Sequence, residues 1–264
     1  MPTLEVLGTA QDAGVPHIGC RCDRCNRARS DDGRPRYASA VLLRDGGEYL
    51  FDATPDIRFQ VETVPDGVFL THAHLGHLPG LLFFGREAAN ADRTPVYATD
   101  GMATVIRKNA PLNLLVEQDN VDLQTLTHES AVTLGESTVA CHHVDHRESL
   151  STGTLAYEIR GPDRSLLYMT DIDEWSPATR ELVKRVDVAL VDGTFWSQHE
   201  LDRSEDVPHP YVERSVEVLD PDQTDVYFTH MNHTNPLLDA DSEAARRLRE
   251  AGFDVLGRGA TFEL

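Results

Sequence analysis

The stretch Thr71-His72-Ala73-His74-Leu75-Gly76-His77 decides how this chain is read. Three histidines follow directly on the apolar run Val68-Phe69-Leu70. A short apolar run bounded by polar residues reads as a buried strand. The histidines then lie just past its carboxyl end, where open α/β sheets place their chemistry. Neutral imidazole is a common ligand for zinc and other divalent metals. His72 and His74 are two apart, so in extended backbone they point the same way and can share one ion. His77 is offset and is free to face a second ion.

The rest of the chain repeats this grammar of a strand followed by a polar loop rich in His or Asp. Leu4 to Gly8 reads as a strand running into a polar loop, Thr9 to Gly19. Ala38 to Leu43 and Glu48 to Asp52 read as a hairpin turned by Arg44-Asp45-Gly46-Gly47, since Asp-Gly is a hairpin signal. Asp52-Ala53-Thr54-Pro55 reads as a strand end leading into a helix near Pro55. Leu78 to Asn90 is expected to be helical, Pro95 to Ala98 a strand, and Gly101 to Asn109 a helix. Residues 111–126 show no clear pattern. Val132 and Thr138 to His142 read as meander strands, with Gly153 to Ile159 a further strand after Asp145-His146. Ser165 to Met169 is a buried strand ending at Thr170-Asp171-Ile172-Asp173. Pro177 to Arg185 reads as a helix and Val188 to Val191 as a buried strand ending at Asp192-Gly193-Thr194. A loop over 195–210 carries His199 and His209, and Tyr211 to Leu219 is helical. Val226 to Phe228 is a strand ending at Thr229-His230-Met231-Asn232-His233. A charged helix over Asp241 to Ala251 and a strand near Val255 or Phe262 follow. Four separate strand ends thus offer ligand-type residues, which carries more weight than any one motif.

Composition narrows the function classes. The chain has 264 residues, 40% of them hydrophobic, enough for a large core. Its formal net charge is −20, with 44 acidic and 24 basic residues. No basic run is visible, which argues against nucleic acid and anionic membrane as partners. Lys108 and Lys184 are the only lysines. An acid-rich, lysine-poor surface suits a salt-rich cytoplasm, although biased base composition explains the arginine preference equally well. The first residues lack the basic start and apolar core of a signal peptide, and no run of 18 apolar residues exists to span a membrane.

Three of the four cysteines crowd into Cys20-Arg21-Cys22-Asp23-Arg24-Cys25. This is metal-ligand spacing in a reducing compartment rather than a disulfide framework. The expected location is the cytoplasm. Thiolates favour zinc, and structural zinc takes four ligands, so a fourth is expected from elsewhere. His142 and His143 read as structural histidines, and Cys141 as a buried thiol.

The run 71–77 resembles the His-x-His-x-Asp-His signature of the metallo-β-lactamase superfamily, with Gly76 where that signature has Asp. The resemblance covers almost the whole chain. It implies an α/β (α+β) fold, a four-layer αββα sandwich formed as one domain over residues 1–264, with a dinuclear metal site at one edge. Carried over residue by residue, His72, His74 and His146 would hold the first ion. Asp171 would bridge both ions, and His77 and His230 would hold the second. The ions would be Zn2+, Mn2+ or Fe2+. Gly76 removes one family ligand, so the second position is expected to be weak, or completed by water or substrate, or selective for a different metal.

Two subgroups look similar. In the phosphodiesterase of phosphonate breakdown, a C-x-C-x-x-C cluster and a distant histidine hold a structural zinc. That histidine lies three residues after an active-site histidine. The resemblance makes His233, three after His230, the fourth ligand beside Cys20, Cys22 and Cys25 on a structural Zn2+. The same subgroup has a loop histidine as general acid, which by position resembles His209 in Pro208-His209-Pro210. An ordinary loop histidine is the alternative. The B protein of pyrroloquinoline quinone biosynthesis has local sequences similar to Asp192-Gly193-Thr194-Phe195-Trp196, His233-Thr234-Asn235-Pro236 and Gly8-Thr9-Ala10. It lacks the histidine pair present here as His72 and His74.

The expectation is a metal-dependent hydrolase acting on a small phosphodiester or cyclic phosphate through a metal-bound hydroxide. Asp171 and His209 would serve the chemistry. Two alternatives are kept: an iron-dependent oxygenase or redox enzyme of the quinone-cofactor type, and a non-catalytic metal-binding domain. The expected partner is a small-molecule substrate, with no nucleic acid and no membrane, and a homodimer is carried as the expected assembly.

Overall fold

The strands Ala40-Val41-Leu42-Leu43 and Val188-Ala189-Leu190-Val191 are apolar at every position. Such strands must be covered on both faces, which demands helices outside and another sheet inside. The computed structural model, which describes residues 1–30, 33–127, 130–150, 152–201 and 208–264, has that arrangement. The first sheet contains β1 (Thr3–Gly8), β2 (Ala40–Arg44), β3 (Glu48–Phe51), β4 (Gly67–Phe69), β5 (Thr94–Thr99) and β6 (Val121–Leu126). The second contains β7 (Ala131–Leu134), β8 (Ser137–Val144), β9 (Thr154–Arg160), β10 (Ser165–Met169), β11 (Val188–Asp192), β12 (Asp225–Thr229) and β13 (Asp254–Val255). β14 (Thr261–Glu263) returns to the first sheet beside β1.

Alternate residues of each strand serve different layers. Val41 and Leu43 of β2 meet Leu166, Tyr168, Val188 and Leu190 of the second sheet in the central core. Ala40 and Leu42 face outward, with Val68 and Val96, against helices α2 (Ile57–Gln60), α3 (Asp100–Lys108) and α4 (Leu112–Glu117). Leu167, Met169, Ala189 and Val191 face the other way, against α5 (Pro177–Lys184), α6 (Val212–Val218) and α7 (Glu243–Glu250). The result is the expected four-layer αββα sandwich. A short helix α1 (Asp23–Ala28) buries Cys25. No helix among the described residues is long and apolar enough to cross a membrane.

β3, β4 and β5 run parallel, as do β10, β11 and β12. β1 and β8 are each two antiparallel pairings removed from these sets, so they share their direction. The carboxyl ends of β1, β3, β4, β8, β10, β11 and β12 therefore all open onto one edge.

The sequence expectation of a helix over 78–90 is corrected. A 3-10 turn spans Pro79–Phe84 and no helix continues past Gly85. Gly80 sits so close to the preceding strand exit that a Cβ there would lie 2.3 Å from the Thr54 carbonyl oxygen. Its N–H donates to Ala53 O at 2.8 Å. That docking fixes the turn before an α-helical ladder can start. The unreadable residues 111–126 form α4 and β6. Val255 and Phe262 both lie in strands, one in each sheet. Of the loop 195–210, residues 202–207 lie outside the described residues.

Candidate metal centre

Each candidate ligand sits just past a strand end. β4 delivers His72 and His74, β8 delivers His146, β10 delivers Asp171 and β12 delivers His230. His72 Nε2 lies 2.9 Å from His74 Nδ1, and His146 Nε2 lies 3.3 Å from the same nitrogen. Asp171 Oδ1 is 3.9 Å from His72 Nε2 and 3.7 Å from His146 Nε2. Donor atoms of these residues all lie within 4.8 Å of one another. On the other side, Asp171 Oδ2 is 3.6 Å from His77 Nε2. Asp171 Oδ2 thus faces His77, while Oδ1 faces His72 and His146 and also lies 3.6 Å from His230 Nδ1, so the carboxylate sits between the two halves of the site.

Several inward-facing atoms have no hydrogen-bond partner. His77 Nε2, His230 Nε2 and Asp171 Oδ2 are buried and unpaired. Each would cost about 1–3 kcal/mol if nothing bound it. A divalent cation is the partner this donor set suits, being imidazole nitrogen plus carboxylate oxygen. Burial lowers the pKa of His72, His146 and His230, favouring the neutral, ligating form. Burial would raise Asp171, but His230, His72, His77 and His146 around it hold it well below the usual carboxylate range. His77 is different. Burial alone would lower it, yet Asp52 and Asp171 push it up to about 9, so a proton competes with a cation there.

The surrounding residues aim the ligands. Asp52 Oδ2 lies 2.7 Å from His77 Nδ1, while Asp52 Oδ1 accepts from the Thr71 N–H at 2.8 Å. Asp173 Oδ1 lies 3.2 Å from His146 Nδ1, and Thr194 Oγ1 lies 3.0 Å from His230 Nδ1. The hydrogen bonds at His77 Nδ1 and His230 Nδ1 fix which nitrogen of those rings faces the ion, whereas Asp173 is only a charge neighbour of His146 Nδ1, which has no hydrogen-bond partner. Asp52 and His230 both have left-handed backbone, with φ 68° and 59°. Strain of this kind, about 1–3 kcal/mol for a non-glycine residue, clusters at functional sites.

His209 joins the site's rim. Its ring lies 5.2 Å from that of His146, and the side chain is nearly buried. Asp192 Oδ2 lies 2.7 Å from His209 Nδ1 and leaves Nε2 for the site. Burial would lower this histidine, but Asp192 raises it to about 9. Its donor atom also lies within 4.8 Å of donors on Asp171 and His230, so proximity alone would also allow ligation.

Cys20, Cys22, Cys25 and His233 converge in the same way, their donor atoms all within 4.8 Å of one another. His233 Nδ1 is buried without a hydrogen-bond partner. Burial pushes the Cys25 thiol up to about 11. Burial would raise Cys22 too, but hydrogen bonds from the Cys25 and Arg24 backbone lower it. His17 stacks on His233 with ring centroids 4.5 Å apart. His142 sits 2.9 Å from Glu158 and away from the site. Cys141 is a buried thiol, as expected.

Three site residues escaped the sequence reading. Asp52 and Asp192 close apolar strands, and that shared position was the available signal. Asp12 was passed over as part of a polar loop. Its Oδ1 lies 3.8 Å from His77 Nε2, and the only hint of it was the carboxylate missing at Gly76.

Two helix-covered mixed sheets with imidazoles and a carboxylate converging at one edge define a metallo-β-lactamase-fold protein built for divalent metal. Residues 48–253 match the β-lactamase superfamily domain, and the chain belongs to that family. Among curated relatives it is 28% identical to Coenzyme PQQ synthesis protein B of Methylococcus capsulatus, over 96% of each chain. It is 27% identical to the protein of the same name from Stutzerimonas stutzeri, over 99% of each. Among solved structures, Zn2+-bound PqqB from Methylobacterium extorquens superposes with TM-score 0.85 at 23% identity, covering 99% of this chain and 100% of that one. A diphosphatase of the PhnP family superposes with TM-score 0.75 at 26% identity, covering 99% and 96%.

Proposed function

We propose that this protein is a metal-dependent hydrolase of small phosphodiesters, cyclic phosphates included. The observation that carries this reading is the pairing of His209 with Asp192 beside the converged donors. Divalent ions bound there would activate water and neutralise developing charge on a phosphoryl oxygen. Asp171 stays ionised between the two halves and holds them in register. His209, kept protonated at Nδ1 by Asp192, presents its Nε2 proton to the leaving oxygen. The similarity to a PhnP-family diphosphatase supports phosphoryl chemistry. Cys20, Cys22, Cys25 and His233 are proposed to hold a separate structural zinc. The closely spaced thiols support a reducing, cytoplasmic setting, and the strongly negative charge supports a small-molecule substrate over nucleic acid.

The test is turnover of a panel of linear and cyclic phosphodiesters by the full chain. His72→Ala should lower the rate by at least about 100-fold, beyond what loss of a ligand's hydrogen-bond partner costs. Unchanged turnover in that variant would sink the reading. A second reading, oxygen-dependent chemistry on one iron, is favoured by the full-length similarity to Coenzyme PQQ synthesis protein B. Iron content with oxygen consumption would select it, and a colourless zinc protein would exclude it.

A further inference from the structure

We propose that Asp12 supplies the carboxylate ligand of the second metal position, relocated from position 76 to the loop after β1. This rests on the reading of the site as a metal centre. The His77 side lacks the carboxylate that the resemblance places at Gly76, and Asp12 stands where it is needed. A Cβ built on Gly76 would lie 2.6 Å from Asp12 Oδ1 and 2.8 Å from Asp12 Cα. The two side chains therefore exclude each other in this geometry. Gly76 does not adopt left-handed backbone, so its conformation does not require glycine. The close approach of Asp12 does.

The distances suit ligation. Two donors each about 2.1 Å from a tetrahedral ion stand about 3.4 Å apart. Asp12 Oδ1 to His77 Nε2 is 3.8 Å, and Asp171 Oδ2 to His77 Nε2 is 3.6 Å. Donor atoms of Asp12, His77 and His230 all lie within 4.8 Å of one another. His77 Nε2, His230 Nε2 and Asp171 Oδ2 are the buried, unpaired atoms described above. Asp171 Oδ2 borders the group of Asp12, His77 and His230 through His77 Nε2, so two imidazoles and two carboxylates surround the position. The hard oxygen ligand is thereby retained, and with it the usual metal preference.

Asp12 is also held in place. The Gly76 N–H donates to its Oδ1 at 2.8 Å, leaving a lone pair of that oxygen for an ion. Its loop is stitched to the segment that carries His230. Gln11 N donates to Met231 O at 2.9 Å, and Met231 N donates to Thr9 O at 2.8 Å. The new ligand and one of its partners thus ride on mutually bonded backbone.

The experiment is zinc stoichiometry and affinity of the full chain, with Zn2+ as the probe. Wild type should hold about three ions, one for each half of the centre and one for the cysteine cluster. Asp12→Ala and His77→Ala should each fall by one, with the same position lost in anomalous difference maps, near His77 and His230. Asp12→Asn keeps an acceptor for the Gly76 N–H while removing the charge. It should bind the second ion at least about tenfold more weakly. Full occupancy and wild-type affinity in Asp12→Asn would overturn the assignment, because the aspartate would then serve only the backbone contact. Two ions in both wild type and Asp12→Ala, with the His77 position empty, would overturn it while leaving hydrolysis on the His72, His74 and His146 ion standing. Failure of that broader reading would show separately, as unchanged turnover in His72→Ala.

Discussion

Asp192 converts a buried imidazole that ought to be neutral into one that holds its proton. His209 alone would be depressed by burial, yet the carboxylate 2.7 Å away raises it to about 9. In the proposed role of general acid the protonated form is the active one, so activity would be present below that value and lost as pH rises through it. Cations bound alongside would move the limb to or below about 9. In a pH profile of kcat on a chromogenic phosphodiester, wild type should therefore fall on the alkaline side. In Asp192→Asn burial dominates and the limb should move toward acid, with kcat at neutral pH down by about 10²–10⁴-fold. An alkaline limb left where it was would show that Asp192 does not set the proton. The sequence revealed the histidines readily, because two-apart spacing after an apolar run needs only local geometry. It hid Asp12, whose contact with Gly76 joins residues 64 positions apart. No local pattern reports such a meeting.

At the scale of elements, strands were legible wherever they were fully buried. β10 was read with its observed bounds, Ser165 to Met169, since a serine followed by the apolar run Leu166-Leu167-Tyr168-Met169 between turn signals has one natural solution. The segment after His77 was not legible. Its apolar residues look helical, but tertiary docking of Gly80 on Ala53 and Thr54 decides the outcome. Gly80→Ala would place a methyl against backbone that cannot move aside cheaply. The expected cost is about 1–3 kcal/mol of stability, read as a lower midpoint of thermal unfolding. Because the turn follows His77 directly, metal binding at the His77 side should weaken as well. A variant as stable as wild type would mean that the turn shifts freely.

The whole molecule carries a formal charge of −20 on 264 residues. Self-repulsion at that density opposes the compact state, and salt relieves it. Between about 0.1 M and about 1 M sodium chloride the screening length shortens from about 10 Å to about 3 Å. The thermal midpoint should rise by a few degrees over that interval in the metal-loaded protein. A midpoint that falls would show that attractive ion pairs, such as Arg44 with Glu5 and Glu48, outweigh the repulsion.

The convergence of seven strand ends on one edge has a kinetic corollary. The donors run from position 12 to position 230, and they come from both sheets. No metal-binding pocket exists until the sheets have docked, which is late on any folding route. A cation captured there grips contacts absent from the barrier state. It should leave the folding rate nearly untouched and slow unfolding by almost its entire binding contribution. The ion would then act as a latch fitted after assembly, setting how long the folded molecule lasts rather than how quickly it forms.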